Sequence, residues 1–180
     1  MSALKPAIFI IGLLLIMSSG LMAQVDTHGK TDTIFVEPYQ IDAKNWGINV
    51  GLFNDEEIVG ISVPLHFTSE TKKLVCDSTI FKGGRVEHFR IKFARPDTVI
   101  QCVTIGLIAD VGVSVPPLQP GKGRIATIFI SSLEDKEIPN LNVDTTTTAP
   151  GNTLQMVMPP VNEIIPALII KEGAKVAEKK

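Results

Sequence analysis

The chain has 180 residues, a formal net charge of −2 and aromatic residues at 6% of its positions. This length is enough for one domain with flanking segments. A near-neutral chain lacks the concentrated positive charge of nucleic-acid-binding proteins, so the composition argues against a nucleic-acid partner.

The first 23 residues have the layout of a secretory signal peptide. Lys5 supplies the positive start, residues 7–17 are apolar, and small residues follow up to Ala23. The apolar run is shorter than the roughly 20 residues that a membrane-spanning helix needs. We expect cleavage after Ala23, with Gly20 as the alternative position and an uncleaved membrane anchor as the competing interpretation.

Cleavage would leave a chain without a membrane span. It would also remove a single charge, that of Lys5, and so change the net charge from −2 to −3. The protein is therefore predicted to be secreted, as an extracellular or cell-surface protein, with the periplasm as the alternative compartment.

Residues 24–32 are predicted to form a short linker, after which apolar residues recur with a period of two. The clearest run has these apolar odd positions: Val59, Ile61, Val63, Leu65 and Phe67. Successive side chains on a strand point to opposite faces, so this row predicts a strand with one buried face. Pro64 predicts an edge strand or a bulge, because proline lacks the N–H that a central strand donates.

Similar patterns predict strands at residues 33–38, 46–54, 74–81, 86–93, 97–109 and 124–131. In the fourth of these runs, Phe89, Ile91 and Phe93 are predicted to share the core face. Turn-forming residues separate the runs. Seven strands without a convincing helix predict an all-β fold, an antiparallel two-sheet β-sandwich of jelly-roll or immunoglobulin-like type, at residues 33–133.

The character of the chain changes after residue 133. Residues 134–152 are polar, contain four consecutive threonines and are predicted to be a linker. Residues 153–180 are predicted to be a loose C-terminal tail, with one added strand as an alternative for residues 153–160. The charged residues 171–180 are predicted to be a mobile terminus.

No combination of residues predicts catalysis. The histidines are His28, His66 and His88, which lack the spacing of a zinc site and are predicted to be solvated surface residues. No serine or threonine lies in the strand-to-helix turn that exposes a nucleophile. We therefore predict that the protein is not an enzyme and has no catalytic, cofactor-binding or metal-binding residues.

Two charged features have alternative interpretations. Asp55, Glu56 and Glu57 form an acidic turn that would suit calcium, whose ligands are oxygen atoms, although a solvated turn is the simpler interpretation. Basic residues between positions 82 and 95 would form a stripe for an acidic partner or, more simply, a solvated edge. The stripe consists of Lys82, Arg85, His88, Arg90, Lys92 and Arg95.

The two cysteines, Cys76 and Cys102, both fall in predicted strands. An exported protein can form disulfides, so the pair would be either one bridge or two buried thiols. The sequence leaves both alternatives open, because it does not show which strand faces these two residues share.

The aromatic content argues against a flat polysaccharide-binding platform, which relies on exposed Trp and Tyr rings. The chain contains one Trp and one Tyr, Trp46 and Tyr39, and most phenylalanines lie in predicted core rows. A small carbohydrate-binding module that stacks a sugar on Trp46 remains the alternative function.

Two stretches resemble the cohesin-like modules of bacterial extracellular proteins, within the broad carbohydrate-binding-module-like superfamily of β-sandwiches. Residues 48–67, INVGLFNDEEIVGISVPLHF, are similar to the opening pair of cohesin strands with the Asn-containing turn between them. Residues 118–132, LQPGKGRIATIFISS, are similar to the late glycine turn of the family and the central strand that follows it. The resemblance covers roughly residues 46–132.

The resemblance implies a non-catalytic module that binds another protein, as the best-known cohesins bind a calcium-loaded dockerin with one sheet face. We therefore expect a protein partner, with a dockerin-like chain as the implied class and carbohydrate as the alternative. The implied role is scaffolding or attachment to the cell surface. The resemblance assigns no partner-binding residues, because no contact motif of the family can be placed on this sequence.

Overall fold

The computed structural model describes residues 24–26, 28–71, 73–110, 115–146 and 153–173. The predicted signal peptide at residues 1–23 lies outside the described residues, as do residues 147–152 of the predicted linker and residues 174–180 of the predicted charged terminus. Within the described ranges, every regular secondary-structure element is a strand. No helix long and apolar enough to cross a membrane is found there.

Twelve strands run through the described ranges, which confirms the all-β prediction. They are β1 (Gln24–Val25), β2 (Thr33–Gln40), β3 (Trp46–Asn54), β4 (Gly60–Thr68), β5 (Leu74–Ile80), β6 (Ile91–Asp97), β7 (Cys102–Ile108), β8 (Gly121–Ser132), β9 (Asn142–Thr145), β10 (Gln155–Met158), β11 (Asn162–Ile165) and β12 (Ala167–Ile170).

The strands form the two predicted sheets. A seven-stranded sheet has the order β1-β11-β10-β4-β7-β6, with β9 also paired to β4, and a five-stranded sheet has the order β12-β2-β3-β8-β5. All neighbours are antiparallel except two pairs, β1 with β11 and β12 with β2, which are parallel. The prediction of an antiparallel two-sheet β-sandwich is therefore confirmed, apart from these two parallel pairs at the sheet edges.

The core lies between the inner faces of the two sheets. On β4 the predicted row is buried, and Val63 and Leu65 have no exposed surface. They belong to the same core cluster as Ile48 and Val50 of β3, from the opposite sheet. Burial of each such side chain contributes about 1.5–3 kcal/mol, so these alternating rows hold the sheets together.

The strand predicted at residues 86–93 begins later than expected. Successive turns occupy residues 82–90, with hydrogen bonds from the Glu87 N–H to the Gly84 carbonyl and from the Phe89 N–H to the Val86 carbonyl. These turns interrupt the two-residue alternation, so Phe89 is buried while Phe93 is 46% exposed. Ile91 is likewise 37% exposed. The prediction that Phe89, Ile91 and Phe93 share the core face was therefore wrong for Ile91 and Phe93.

Pro64 lies in a central strand, where the sequence predicted an edge or a bulge. β4 pairs with β7 along one side and, on its other side, with β10 at residues 60–62 and with β9 at residues 65–68. Pro64 falls in the gap between β10 and β9. Its carbonyl accepts a hydrogen bond from the Thr145 hydroxyl at 3.0 Å on that side. The N–H that proline lacks would point to the same gap, so no ladder bond is lost there.

The chain after residue 133 is part of the sandwich, which corrects the predicted domain boundary. β9 and β10 both pair with β4, β11 extends the same sheet, and β12 covers the edge of β2. The sequence predicted at most one strand there, because four-residue strands are too short to show a clear period. Their pairing satisfies backbone N–H and C=O groups that would otherwise form open sheet edges.

The predicted linker at residues 24–32 is also tied to the fold. Gln24 and Val25 pair with Ile164 and Ile165, and the side chains of Asp26 and Asp32 are buried. Among the described residues, the sandwich therefore begins at β1 and continues to β12. The two cysteines lie in different sheets, on β5 and β7, and both are free thiols.

Candidate functional site

One row of outward side chains crosses four strands of the seven-stranded sheet. The odd-numbered residues of β4 face the core, so its even-numbered residues face outward. The register places Gly106 opposite Ser62 and Phe93 opposite Gly106, while Gln155 lies opposite Ser62 on the other side. Directly opposed residues share one face of a sheet, so these four residues form a continuous outward row.

Two neighbouring rows complete this surface, which we call the β10–β4–β7–β6 face. One consists of Val157, Gly60, Ile108 and Ile91, and the other of Pro64, Thr104 and Arg95. The rows enclose a groove of about 310 Å³. Its outward-facing lining residues are Ser62, Phe93, Arg95, Thr104, Gly106, Ile108, Gln155 and Val157.

Glycines create the space in this groove. A Cβ atom at Gly106 would lie 2.1 Å from the Phe93 Cζ atom, so the phenyl ring rests directly over the glycine. A Cβ atom at Gly60 would lie 3.2 Å from a methyl group of Val157. Because these two positions lack side chains, the Phe93 ring can pack flat against β7. A depression remains between the neighbouring strands.

Apolar side chains on the β10–β4–β7–β6 face are exposed to solvent. Ile91 is 37%, Phe93 46% and Ile108 39% exposed. Ser62, Thr104, Gln155 and Arg95 place polar groups beside them. An apolar centre with polar surroundings is typical of a protein-binding surface, whereas single exposed apolar residues are ordinary.

The outer face of the five-stranded sheet has a different character. The Lys122 ammonium lies 4.4 Å from the centre of the Phe35 ring. Arg124 donates to the Thr127 hydroxyl at 3.1 Å, and that hydroxyl donates to the Asn49 side-chain oxygen at 2.9 Å. These polar side chains are therefore partnered within the sheet.

The structure does not bring the three histidines together. His28 follows β1, His66 lies on the polar row of β4, and His88 lies in a turn with its ring edge against Phe89 at 5.0 Å between centroids. His28 and His88 are exposed and His66 is half-buried. In the described part of the chain, no group of three candidate metal ligands includes a histidine.

The predicted basic stripe does not form, because its residues lie on turns as well as on β6. Arg85 points back into the domain, where its guanidinium donates to the Asn54 side-chain oxygen at 2.7 Å and to the Gly121 carbonyl at 2.8 Å. Arg90 contacts Asp110 at 3.4 Å. Only Arg95 of the predicted set lines the groove.

Trp46 is unavailable as a sugar-stacking platform. Its side chain is 1% exposed, and its indole N–H donates to the Ile138 carbonyl at 2.9 Å. This hydrogen bond links β3 to the segment before β9, so Trp46 is a core residue. The carbohydrate-binding alternative depended on an exposed Trp46, so the structure does not support it.

The acidic turn forms part of a cluster that the sequence showed only in part. Candidate ligand atoms of Asp32, Asp55 and Glu56 lie within 4.8 Å of one another, whereas the Glu57 carboxylate accepts a hydrogen bond from Gln119 at 2.8 Å. Asp32 was missed because 23 residues separate it from Asp55. No local pattern signals that contact, which the antiparallel pairing of β2 with β3 produces.

Burial and mutual repulsion raise the pKa of two of these carboxyls. Burial is the main cause that raises the pKa of Asp32 to about 6, with a smaller contribution from the charges of Asp26 and Asp55. Burial likewise raises the pKa of Glu56 to about 7, helped by its contact with Asp55. The Lys30 backbone N–H, which donates to the Asp55 carboxylate at 2.5 Å, lowers the pKa of Asp55. The charged forms of Asp32 and Glu56 are therefore disfavoured at this turn.

Solved structures share this fold. The OlpA cohesin in a type I cohesin–dockerin complex of Clostridium thermocellum is 12% identical and aligns with a TM-score of 0.60 over 82% of this chain and 100% of that chain. The third ScaC cohesin of Acetivibrio cellulolyticus, in complex with the ScaB dockerin, is 12% identical with a TM-score of 0.59, over 80% of this chain and 96% of that chain.

A third similar structure is the seventh ScaB type I cohesin of Pseudobacteroides cellulosolvens, which is 9% identical with a TM-score of 0.56, over 83% of this chain and 95% of that chain. No protein-family model and no curated protein sequence matches the chain. The likeness therefore shows the fold: the chain has the β-sandwich fold of the cohesins, as the resemblance of residues 48–67 and 118–132 implied.

Proposed function

We propose that the protein is an exported, non-catalytic cohesin-like module that binds a protein partner through the β10–β4–β7–β6 face. The observation that carries this proposal is the exposure of Ile91, Phe93 and Ile108 in adjacent positions around a groove on that face. Export is supported by the predicted signal peptide at residues 1–23.

The composition of the face favours a protein surface as the ligand. Protein interfaces combine a desolvated apolar centre with a polar rim, and aromatic and arginine side chains often contribute most of the binding energy. Phe93 supplies the aromatic centre, and Arg95 lies next to it on the same side of β6. Both are therefore proposed as principal contacts.

A dockerin-like chain is the proposed class of partner. Similar solved structures of this fold contain a cohesin bound to a dockerin, so a helical partner of that class is the first to test. The role that follows is scaffolding or attachment of the partner at the cell surface. Carbohydrate is not proposed, because Trp46 is buried.

Substitutions on the proposed face provide the test. Partners are captured from the secreted proteins of the organism with the purified domain, identified, and titrated individually by calorimetry. We expect Phe93→Asp and Ile108→Asp each to weaken binding at least roughly 30-fold, because a charge would replace a desolvated apolar contact.

Ile169→Asp is the matched control. Ile169 lies on β12, at the edge of the other sheet, and is 47% exposed, close to the 46% of Phe93. Its substitution should leave the affinity unchanged. Equal loss of affinity in all three variants, or none in any of them, would place the partner elsewhere. Circular dichroism of each variant verifies that the sandwich remains folded.

A further inference from the structure

We propose that Asp32, Asp55 and Glu56 form a binding site for one calcium ion at the junction of the N-terminal segment and the turn between β3 and β4. This site is independent of the proposed partner-binding face, since it uses none of the residues that line the groove.

The spacing of the three carboxylates suits a single ion. Their candidate ligand atoms all lie within 4.8 Å of one another. Calcium holds oxygen ligands at about 2.3–2.6 Å, so two ligands on opposite sides of the ion are separated by about 5 Å. All three groups can therefore reach one ion, and the rest of its shell of about six to eight oxygens would be water or main-chain carbonyls.

An unsatisfied buried oxygen on each residue is the independent observation. Asp32 is 0% exposed, and its Oδ2 atom is buried without a hydrogen-bond partner. The same holds for Oδ1 of Asp55 and Oε2 of Glu56. A buried carboxylate oxygen without a donor is costly, and one cation would satisfy all three atoms together.

In the described part of the chain, no ion pair neutralises the cluster. Of the ion pairs between described residues, none includes Asp32, Asp55 or Glu56. Lys30 approaches Asp55 through its backbone N–H, and its side chain is exposed. Asp32 is buried and the other two carboxylates are half-buried. Like charges at this spacing favour the uptake of protons or of a cation, and a divalent ion balances most of the charge of three carboxylates.

The N-terminal segment is folded tightly over the carboxylates. Both oxygens of Asp26 are used internally, accepting from the His28 N–H at 3.0 Å and the Asp32 N–H at 2.6 Å. Gly29 has a φ of +54°, and a Cβ atom there would lie 2.2 Å from Oδ2 of Asp55 and 3.2 Å from Oε1 of Glu56. The segment therefore closes over the site in a way that only glycine permits.

The opposite wall of the site is also held in place. Asn54 is fully buried, and its side-chain N–H₂ donates to the Glu56 carbonyl at 2.7 Å, while its oxygen accepts from Arg85. The Asp55 N–H donates to Oδ1 of Asp32 at 3.1 Å. Because one oxygen of Asp32 is oriented by the backbone, the other is positioned for a ligand before any ion binds.

Calorimetry on the metal-free chain without its predicted signal peptide tests the site, with no partner present. We expect one calcium site with a Kd below about 1 mM, in the range of extracellular calcium modules, and weaker binding of magnesium, which demands a stricter geometry. Calcium at about 100 times Kd should raise the melting temperature by roughly 5–10 °C.

Asp32→Asn is the decisive variant, because it preserves shape while removing one ligand charge. It should lose at least about tenfold in calcium affinity, yet melt no lower than the wild type in EDTA, since it relieves repulsion. Glu57→Gln is the control and should bind calcium like the wild type, because Glu57 lies outside the cluster.

Three results would overturn the proposal. One is no heat of binding and no shift of the melting temperature at about 10 mM calcium, well above the affinity range of extracellular sites. Another is unchanged calcium affinity in the double variant Asp32→Asn with Glu56→Gln. The third is magnesium binding as tight as that of calcium. Since no partner enters these measurements, their outcome is separate from the test of the β10–β4–β7–β6 face.

Discussion

Arg85 is a charged residue whose hydrogen bonds connect several segments of the fold. Its guanidinium donates to the Asn54 side chain and, at 2.8 Å and 2.5 Å, to the carbonyls of Gly121 and Gln119. It thereby ties the turns at residues 82–90 to the start of β8. As a planar group with five donors, arginine reaches several acceptors at once, which a lysine ammonium cannot do in the same geometry.

Replacing Arg85 should therefore cost stability and not only surface charge. We expect Arg85→Lys to lower the free energy of unfolding by about 1–2 kcal/mol and Arg85→Ala by about 2–3 kcal/mol, because the buried Asn54 oxygen and two main-chain carbonyls lose their donor. Urea unfolding measures both values. Arg90→Ala is the control and should change stability by less than about 0.5 kcal/mol, because its ion pair with Asp110 is largely solvent-exposed on the arginine side. A cost equal to that of the control would contradict the role given to Arg85.

Whether Phe93 faces the core or the solvent depends on the turn that precedes its strand. Read as part of a continuous strand from residue 86, it shares the core face with Phe89. The turns at residues 82–90 reset the alternation, and Phe93 then lies on the outer face over Gly106. The glycine pair Gly83 and Gly84 is the sequence signal of that turn, but it does not show how many residues the turn consumes.

At the scale of elements, the short C-terminal strands complete both sheets. β12 pairs in parallel with β2 from Thr33 to Val36, and Leu168 and Ile170 pack against the core. Without β12, the edge of β2 would present unpaired N–H and C=O groups, which are a template for association with other chains.

Truncation tests the contribution of β12. A chain ending at residue 166 should melt at least roughly 5 °C below the full chain, because it loses strand pairing and two half-buried apolar side chains. It should also self-associate at high concentration, as light scattering would show. A chain ending at residue 173 retains β12 and should behave like the full chain. Equal melting temperatures for the two truncated chains would show that β12 does not stabilise the sandwich.

At the scale of the whole molecule, the acidic cluster lies where segments of the two sheets meet. Asp32 precedes β2 and Asp55 follows β3 of the five-stranded sheet, whereas Glu56 leads towards β4 and the neighbouring Asp26 follows β1 of the seven-stranded sheet. Repulsion within the cluster therefore opposes closure of one end of the sandwich. The charged groups that act on the cluster from outside are Asp26 and, on the exposed side, Lys30.

The cluster should make the metal-free protein less stable as pH rises. The pKa values of Asp32 and Glu56 are raised to about 6 and about 7 in the folded state, so between about pH 4 and pH 7 the folded chain binds more protons than the unfolded chain. This part of the stability is present below the unfolded-state pKa and is lost as pH rises through about 6–7. In EDTA, the melting temperature should be higher at pH 5 than at pH 8, and Asp32→Asn should reduce the difference. A higher melting temperature at pH 8 would contradict the prediction.

The sequence by itself determined the fold class and the inner faces of the central strands. Rows such as Ile48 with Val50, and Val63 with Leu65, alternate with a period of two, and a strand has no other way to bury them on one side. The resemblance of two stretches to cohesin-like modules indicated the same fold, and the structure confirms it. These features depend on neighbours in sequence, so sequence alone can show them.

Only the tertiary structure decided which surfaces are open and which distant residues meet. The exposure of Phe93 depends on the length of a turn, and the place of Pro64 depends on two later strands that share one side of β4. The contact of Asp32 with Asp55 depends on strand pairing between residues far apart in the chain. These three features depend on contacts between residues that are distant in the sequence. The local period of the side chains carries no information about such contacts.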